Sequence, residues 1–275
     1  MWRKQTIISI LVAVFMVFIW SCSNDENGSD GNGDDKTIDP CDPDIPVVLN
    51  GDTLPDTRIR RDSLGCVIRI SIAGMETPDS NCLSGIEPYH EVLESLFIDG
   101  NGLTAIDLSP LESFTNLKWF SVNNNNLTSL DLSPLASSTE LGGLYLSWNL
   151  LETIDLSVME SYTELKQLNI SHNSLTSLDI SPLASCDGML AIYASDNNLS
   201  SIDISALASF PGLQYLYLHE NSLTSIDISA LQSCSNMVRF WIQDNTLNAA
   251  SCSQICDFIE THPECDVNSD CSCAR

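Results

Sequence analysis

Carboxylates recur in this sequence at a fixed step, and evenly spaced carboxylates could supply oxygen ligands to a cation such as Ca²⁺. One aspartate falls every 24 residues, and a serine follows each of them two positions later. The six aspartates are Asp107, Asp131, Asp155, Asp179, Asp203 and Asp227. One carboxylate per step is sparse for calcium, and the flanking Leu and Ser differ from a calcium-binding loop. We therefore expect each aspartate to accept hydrogen bonds from local backbone N–H groups or from the following serine, with calcium as the alternative.

Cysteines concentrate near the two ends of the chain. The C-terminal group with its histidine is Cys252, Cys256, His262, Cys265, Cys271 and Cys273, and the N-terminal group is Cys41, Cys66 and Cys82. These side chains could bind zinc, but the C-terminal spacings contain no C-x₂-C pair. We predict disulfides in an exported chain, although the odd counts at both ends leave at least one partner unassigned, and we expect no metal or cofactor.

Neither enzymatic chemistry nor nucleic-acid binding is indicated. The four histidines (His90, His172, His219 and His262) lie at unrelated positions of the 24-residue step, and no nucleophile, phosphate-binding or zinc-protease motif occurs. The formal net charge of −26 comes from 37 Asp plus Glu against 11 Lys plus Arg. Such a chain repels phosphates, so we predict that it does not bind DNA or RNA. Because the catalytic motifs are absent from the sequence, we also predict a non-enzymatic protein.

Aromatic side chains mark one position of the same step. The seven residues at this position are Phe97, Ser121, Tyr145, Asn169, Tyr193, Tyr217 and Trp241, of which five are aromatic. Neighbouring positions add Trp119, Trp148, Tyr215 and Arg239. Exposed aromatic residues on a rigid surface typically anchor a partner, so we predict binding here. The alternative is that these rings only pack on one another along a sheet.

The element that positions these residues is a repeat array. Asparagine recurs without slip at Asn101, Asn125, Asn149, Asn173, Asn197, Asn221 and Asn245. Each asparagine follows a short segment of alternating apolar residues such as Leu144 and Leu146, which predicts a strand with one face buried. An amide that donates to and accepts from backbone groups of adjacent units explains a polar residue at an interior position, so we interpret this ladder as structural.

Units such as LGGLYLSWNLL and LQYLYLHENSL fit L-x-x-L-x-L-x-x-N-x-L, so the chain resembles the leucine-rich repeat family. The resemblance covers well over half of the chain. It implies an α/β fold: a right-handed, curved solenoid with a parallel β-sheet on the concave face and short extended segments and helical or 3₁₀ turns on the convex face. Ser133 and Pro134 predict an N-cap followed by proline at the first position of one such turn. LSGIEP at 83–88 resembles 24-residue plant-type repeats.

The array is predicted to span 67–248, with one atypical unit at Val67, Ile70 and Ile72 and seven 24-residue units. Because the ends of a solenoid expose apolar faces, we expect an N-terminal cap at 41–66 and a cysteine-rich C-terminal cap at 249–275. Cys186 and Cys234, 48 residues apart, are predicted to be buried thiols.

The first 22 residues read as a signal sequence with Arg3, Lys4 and an apolar run before Cys22. This end resembles the lipobox of bacterial lipoproteins, which implies lipidation of Cys22; an ordinary cleaved signal or an uncleaved anchor are the alternatives. Residues 23–40 predict a disordered acidic tether. Asp25 and Glu26 resemble the surface-export signal of lipoproteins from the Bacteroides and Flavobacterium group, which implies lipid anchoring in a Gram-negative outer membrane, facing outward.

These features together predict a surface-displayed binding module that recognises a protein partner, as an adhesin or a complex subunit. The repeats resemble those of bacterial internalins, which use the concave face for partner proteins. A glycan-binding surface lipoprotein and a structural envelope protein are the two alternatives.

Overall fold

The computed structural model describes residues 38–44, 46–72 and 80–273. The predicted signal peptide, the lipidation at Cys22 and tether residues 23–37 lie outside the described residues.

The dominant element is a ten-stranded sheet to which each repeat adds one strand, with one further strand at each end. Its strands are β3 (Ile59–Arg61), β4 (Val67–Ser71), β5 (Ser95–Phe97), β6 (Trp119–Ser121), β7 (Gly143–Tyr145), β8 (Gln167–Asn169), β9 (Ala191–Tyr193), β10 (Tyr215–Tyr217), β11 (Arg239–Trp241) and β12 (Asp266–Asn268). Neighbours in this order are hydrogen-bonded, and pairing is parallel from β4 to β12. Equivalent repeat positions pair directly, as Leu144 does with Leu168. The predicted parallel solenoid is confirmed, but β3 pairs antiparallel with β4 at one end.

The core lies behind this sheet and is built from the periodic apolar residues. Leu144 and Leu146 are fully buried, as are their counterparts Leu168 and Ile170. Opposite the strands, short 3₁₀ helices close each repeat, for example through the buried Leu135. These helices are Ser109–Leu111, Ser133–Ser137, Ser157–Ser161, Ser181–Ser185, Ser205–Ser209 and Ser229–Ser233, preceded by Asp56–Arg58 and Glu87–Tyr89.

The prediction that Ser133 is an N-cap is wrong. The 3₁₀ helix begins at Ser133, so Leu132 occupies the N-cap position. Instead the carboxylate of Asp131 accepts from the Ser133 N–H at 2.9 Å, and the same bond recurs at each aspartate of the ladder, for example from Ser157 to Asp155. A carboxylate two residues upstream reaches the first N–H more easily than a hydroxyl inside the turn. The predicted backbone hydrogen bonding of the aspartates is therefore confirmed.

The asparagine ladder joins successive repeats through the backbone. In Asn149, the side-chain amide donates to the carbonyls of Leu146 (3.1 Å) and Val122 (3.0 Å), one in its own repeat and one in the preceding repeat. Its carbonyl oxygen accepts from the N–H of Leu127 at 3.2 Å. The same three-way pattern recurs down the array as far as Asn245. Each asparagine thus fixes the turn that follows a strand.

The N-terminal end of the array is covered by a small hairpin, β1 (Val48–Leu49) with β2 (Asp52–Thr53), and by β3. A disulfide joins Cys41 to Cys66. The carbonyl of Pro40 accepts from the Val67 N–H at 3.0 Å. The predicted disordered tether, 23–40, is therefore wrong at its last residue, because a hydrogen bond to β4 holds Pro40 against the sheet.

At the C-terminal end, helix α1 (Ala249–Thr261) packs across the last repeat, starting from an Asn248 cap that accepts from the Ser251 N–H. The buried Ser251 hydroxyl also accepts from the N–H of Ile226 and donates to its carbonyl. Disulfides Cys252–Cys271 and Cys256–Cys273 tie α1 to the final segment, which adds β12 to the sheet. The predicted staples at both ends are confirmed.

Two cysteines inside the array are buried in the core as predicted. The Cys186 thiol donates to the carbonyl of Tyr162 at 3.2 Å, and burial raises its pKa to about 11. Burial likewise raises the pKa of Cys234 to about 11. Thiols held this way are inert packing groups. Within the described part of the chain, no helix is both long enough and apolar enough to span a bilayer.

Candidate binding face

The candidate site is the sheet face, defined as the side of the sheet that carries the first and third residues of each three-residue strand. The middle residue, for example Leu216, points into the core, and its neighbours Tyr215 and Tyr217 point away from it. Stacked parallel strands bring equivalent residues to within about 4.8 Å of one another. The aromatic positions of the sequence therefore form continuous rows on one rigid surface.

The densest aromatic group lies at the C-terminal end of the sheet face. The ring of Tyr217 stacks on Trp241, with centroids 4.7 Å apart, and meets Tyr193 edge-on at 5.0 Å. Arg239 places its guanidinium 5.5 Å from the Trp241 ring and 3.5 Å from the Tyr217 hydroxyl. The Trp241 indole N–H donates to the Asp266 carboxylate at 3.3 Å. These contacts hold the rings in one arrangement without a ligand.

A second aromatic pair lies nearer the N-terminus. Trp119, at 37% exposed, stacks on Tyr145 with centroids 6.3 Å apart and an interplanar angle of 17°. The Tyr145 hydroxyl donates to Gln167 at 2.6 Å, and burial raises the pKa of this phenol to about 12. A Cβ on Gly143 would lie 2.5 Å from the Trp119 ring. Gly143 therefore makes the room in which the indole lies flat against the next strand.

The expectation that all the aromatic residues are open to solvent is wrong for two of them. Phe97 is 7% exposed because the guanidinium of Arg69 covers its ring at 4.3 Å. Tyr217 is 6% exposed because the rings of Tyr193 and Trp241 flank it. Both side chains support the surface, and the accessible rings around them form it.

Trp148 lies on the turn edge, defined as the residues that follow the strands with left-handed backbone. These residues are Asn124, Trp148, His172, Asp196, Glu220 and Asp244, with φ between 52° and 58°. A bulky residue rarely adopts this conformation. The Trp148 side chain is 56% exposed and stacks on the His172 ring at 3.8 Å, and His172 Nδ1 lies 2.6 Å from the Asp196 carboxylate.

Polar residues between the strands and the turn edge bond mainly to one another. The Asp99 carboxylate accepts from the Ser121 hydroxyl and from the Asn123 N–H at 2.7 Å. Its pKa is nevertheless raised, because burial outweighs these two bonds. The Asn123 amide oxygen accepts in turn from Ser147 at 2.7 Å. These hydrogen bonds link the ends of neighbouring strands to the turns that follow them.

His219 lies beneath the C-terminal rings, 5.7 Å from the Trp241 ring and 5.8 Å from the Tyr217 ring. Its Nδ1 is buried without a hydrogen-bond partner among the described residues. Burial, and then the nearby His172, lower its pKa, so this histidine is neutral at pH 7. A neutral imidazole supports the aromatic rings without placing a positive charge beneath them.

The described part of this face does not assemble a metal centre. Within residues 38–44, 46–72 and 80–273, no three His, Cys, Asp or Glu side chains are grouped so that they could hold a metal ion. The aspartate ladder lies on the opposite side, and the Ser109 N–H lowers the pKa of Asp107 by hydrogen bonding. The calcium alternative gains no support from this geometry.

Two of the repeats match a known family model. The Leucine Rich Repeat model matches residues 164–186 and 212–234, and the stacking above places every 24-residue unit in the same arrangement. The chain therefore has the fold of a leucine-rich repeat solenoid.

Comparison with curated protein sequences gave no match, but solved leucine-rich repeat structures share the fold. An internalin C2 from Listeria monocytogenes is 20% identical over 78% of this chain and 89% of its own length, with a TM-score of 0.58. A leucine-rich repeat protein from Leptospira interrogans is 19% identical, with coverages of 67% and 50% and a TM-score of 0.52. The ectodomain of a plant receptor kinase from Arabidopsis thaliana, in complex with Casparian strip integrity factor 2, is 22% identical. There the coverages are 59% and 19% and the TM-score is 0.54.

The structure also adds residues to the site that the sequence did not identify. Gly143 did not stand out in the sequence. A glycine at the first strand position, where neighbouring strands carry larger side chains, could have indicated that a side chain lies across it. Arg69 was missed because its repeat is atypical. His219 could be placed beside the aromatic positions from its repeat position, but its contacts with the rings of Tyr217 and Trp241 are visible only in the structure.

Proposed function

We propose that this protein is a non-enzymatic binding module, displayed on a bacterial surface by a lipid anchor at Cys22, that recognises a protein partner through its sheet face. The observation that carries the proposal is the row of accessible rings at Trp119, Tyr193, Tyr215 and Trp241 on a stiff sheet. Such rings bury a large apolar area at little cost in side-chain entropy, because the scaffold already holds them in place.

The exposure of two tryptophan side chains supports binding over simple sheet packing. Packing alone satisfies Tyr217 and Phe97, which are buried by their neighbours. It leaves Trp119 and Trp148 at 37% and 56% exposed, and Trp148 in addition occupies a strained left-handed backbone position. Large exposed aromatic side chains rimmed by polar groups are typical of interaction sites.

Site-specific photo-cross-linking tests the proposal on cells that display the protein. A photoreactive phenylalanine derivative replaces Tyr215 on the sheet face or, as the control, Glu160 on an outer 3₁₀ helix. We expect cross-linked protein adducts from position 215 that are absent from position 160, with the adduct identified by mass spectrometry. Equal adduct patterns from both positions would remove the sheet face as the binding surface.

Glycan binding is a second candidate, favoured by one observation. The Trp119 indole lies nearly parallel to Tyr145 over Gly143, and a flat, partly exposed ring of this kind can also stack on a sugar. A glycan array distinguishes the two candidates. Glycan signals lost in a Trp119→Ala variant would favour this function, and a blank array beside cross-linked protein would exclude it.

A further inference from the structure

The repeats place their few positive charges on one edge of the sheet face. Between residues 67 and 248 the only Lys and Arg residues are Arg69, Lys118, Lys166 and Arg239. Arg69 and Arg239 occupy the first sheet-face position, and the two lysines come one residue before it. All four cations of the array therefore lie along the edge at which the strands start.

Most of these cations are already engaged. Lys118 pairs with Glu94 at 2.5 Å, Arg239 lies 3.4 Å from the Asp266 carboxylate, and Arg69 covers the Phe97 ring. This edge thus contributes little free positive charge to attract an acidic partner.

The turn edge carries the opposite charge. Asp196, Glu220 and Asp244 follow strands β9, β10 and β11 at equivalent positions, so their backbones are spaced by about 4.8 Å per strand. Asp196 is paired with His172. In the part of the chain that the structure describes, neither Glu220 nor Asp244 lies within salt-bridge distance of a cationic side chain, and both are exposed. Negative charge on this edge therefore remains available.

The aromatic rings and the turn-edge carboxylates belong to the same repeats. Glu220 follows Tyr217 by three residues, and Asp244 follows Trp241 by three. The exposed Trp148 indole lies on the same edge. Aromatic faces attract Lys and Arg side chains, and nearby carboxylates add to that attraction. A surface arranged this way selects by charge as well as by apolar contact.

We propose that the partner of the sheet face is a basic protein. Its Lys or Arg side chains lie along the turn edge at Glu220 and Asp244, and its apolar side chains cover the C-terminal rings. This inference rests on the proposed function and adds the chemistry and the orientation of the partner. The net charge of −26 supports it, because the field of the whole protein speeds the approach of a cationic surface.

Two synthetic peptides test the inference on the folded protein. One alternates arginine and leucine, its counterpart alternates glutamate and leucine, and neither contains tryptophan. Binding is followed by the intrinsic tryptophan fluorescence of the protein at low and at physiological salt. We expect the arginine peptide to bind, with a Kd that rises as the salt concentration increases, and the glutamate peptide not to bind. Equal binding of both peptides would overturn the inference.

A charge-matched pair of variants locates the contact. Glu220→Gln with Asp244→Asn removes two charges from the turn edge. Glu152→Gln with Glu160→Gln removes two exposed charges that lie outside the strands and the turn edge. We expect the turn-edge variant to raise the Kd of the arginine peptide roughly twofold to tenfold, since each exposed pair contributes little alone. The control variant should bind like the unmodified protein. An equal rise in both would mean diffuse attraction and would overturn the inference.

A third variant separates this inference from the proposed function. Tyr215→Ala with Trp241→Ala removes two rings and no charge. If the ring variant binds the arginine peptide more weakly and the turn-edge variant binds it like the unmodified protein, the sheet face remains the binding surface and the basic partner is refuted. Unchanged binding in the ring variant would count against the proposed function itself, whatever the charge variants do.

Discussion

Replacing Asn149 with alanine is the sharpest test of how the repeats hold together. Asn149 is 5% exposed, and its side chain makes bonds to Val122, Leu146 and Leu127. The substitution removes all of them without changing the net charge. The cost depends on which backbone groups find another partner.

Neighbouring ladder residues limit the loss at the two carbonyls. The Val122 carbonyl still accepts from Asn125 at 3.0 Å, and the Leu146 carbonyl still accepts from Asn173 at 3.1 Å. The Leu127 N–H loses the Asn149 oxygen that it donates to. A buried N–H without an acceptor costs about 1–3 kcal/mol, and the two weakened carbonyls add roughly 0.5–1 kcal/mol. We therefore expect a loss of about 2–4 kcal/mol in the free energy of unfolding.

Urea denaturation followed by far-UV circular dichroism measures this loss, with the slope m compared between variants. The matched control is Asn126→Ala, because Asn126 is exposed and its side chain makes one 3.3 Å bond to the Gly102 carbonyl. That change should cost less than about 0.5 kcal/mol. If both variants lose the same stability, or if Asn149→Ala loses less than about 1 kcal/mol, the asparagine side chains do not tie successive repeats together.

Three further predictions concern the sheet face and the C-terminal end. Gly143→Ala should displace the Trp119 indole and shift tryptophan emission, because the added Cβ would lie 2.5 Å from the ring. Gly142→Ala, in which the nearest contact of the added Cβ is 3.6 Å, should leave the emission spectrum unchanged, and identical spectra for the two variants would refute the packing of Trp119 over Gly143. Removing the Cys252–Cys271 disulfide, which closes a separation of 19 residues, should cost up to about 3 kcal/mol, read as an earlier loss of the α1 helical signal on heating; an unchanged midpoint would mean that α1 is held by packing alone. The pKa of Tyr145 is about 12 in the folded state and near 10 in the unfolded chain, so between these values the folded state retains a proton that the unfolded chain loses. The free energy of unfolding should therefore fall as pH rises from about 10 to about 12, and Tyr145→Phe should make that fall smaller. A Tyr145→Phe variant with the same alkaline loss would show that this phenol is not shielded from solvent.

Much of the fold follows from spacing alone. The 24-residue step of Asn125 and Asn149, together with the apolar residues beside them, allows one packing in which each strand buries one face against its neighbours. The ends are different because they lack the period. The antiparallel strand β3 and the extra strand β12 could not be predicted, since no repeat unit covers them and their pairing depends on contacts made only after the array exists.

The sheet face was predictable as a set of positions and not as an arrangement of rings. Strand alternation places Tyr193 and Tyr217 on the same side, but whether a ring is exposed depends on the rotamers of its neighbours. Tyr217 is covered by rings on both sides, and Phe97 by a cation from an atypical repeat. Trp148 could be placed after a strand, whereas its left-handed backbone and its stacking on His172 are visible only in the structure.

The most direct measurement of the central claim is partner affinity after the accessible rings are removed. Trp119→Ala, Tyr215→Ala and Trp241→Ala are combined in one variant, and binding to the protein captured by photo-cross-linking is compared with that of a Glu152→Gln, Glu160→Gln control. Because a buried aromatic anchor contributes about 2 kcal/mol or more, we expect Kd to rise at least about 30-fold with the unfolding midpoint largely retained. An unchanged Kd in a folded variant would contradict the claim that the sheet face is where this protein binds.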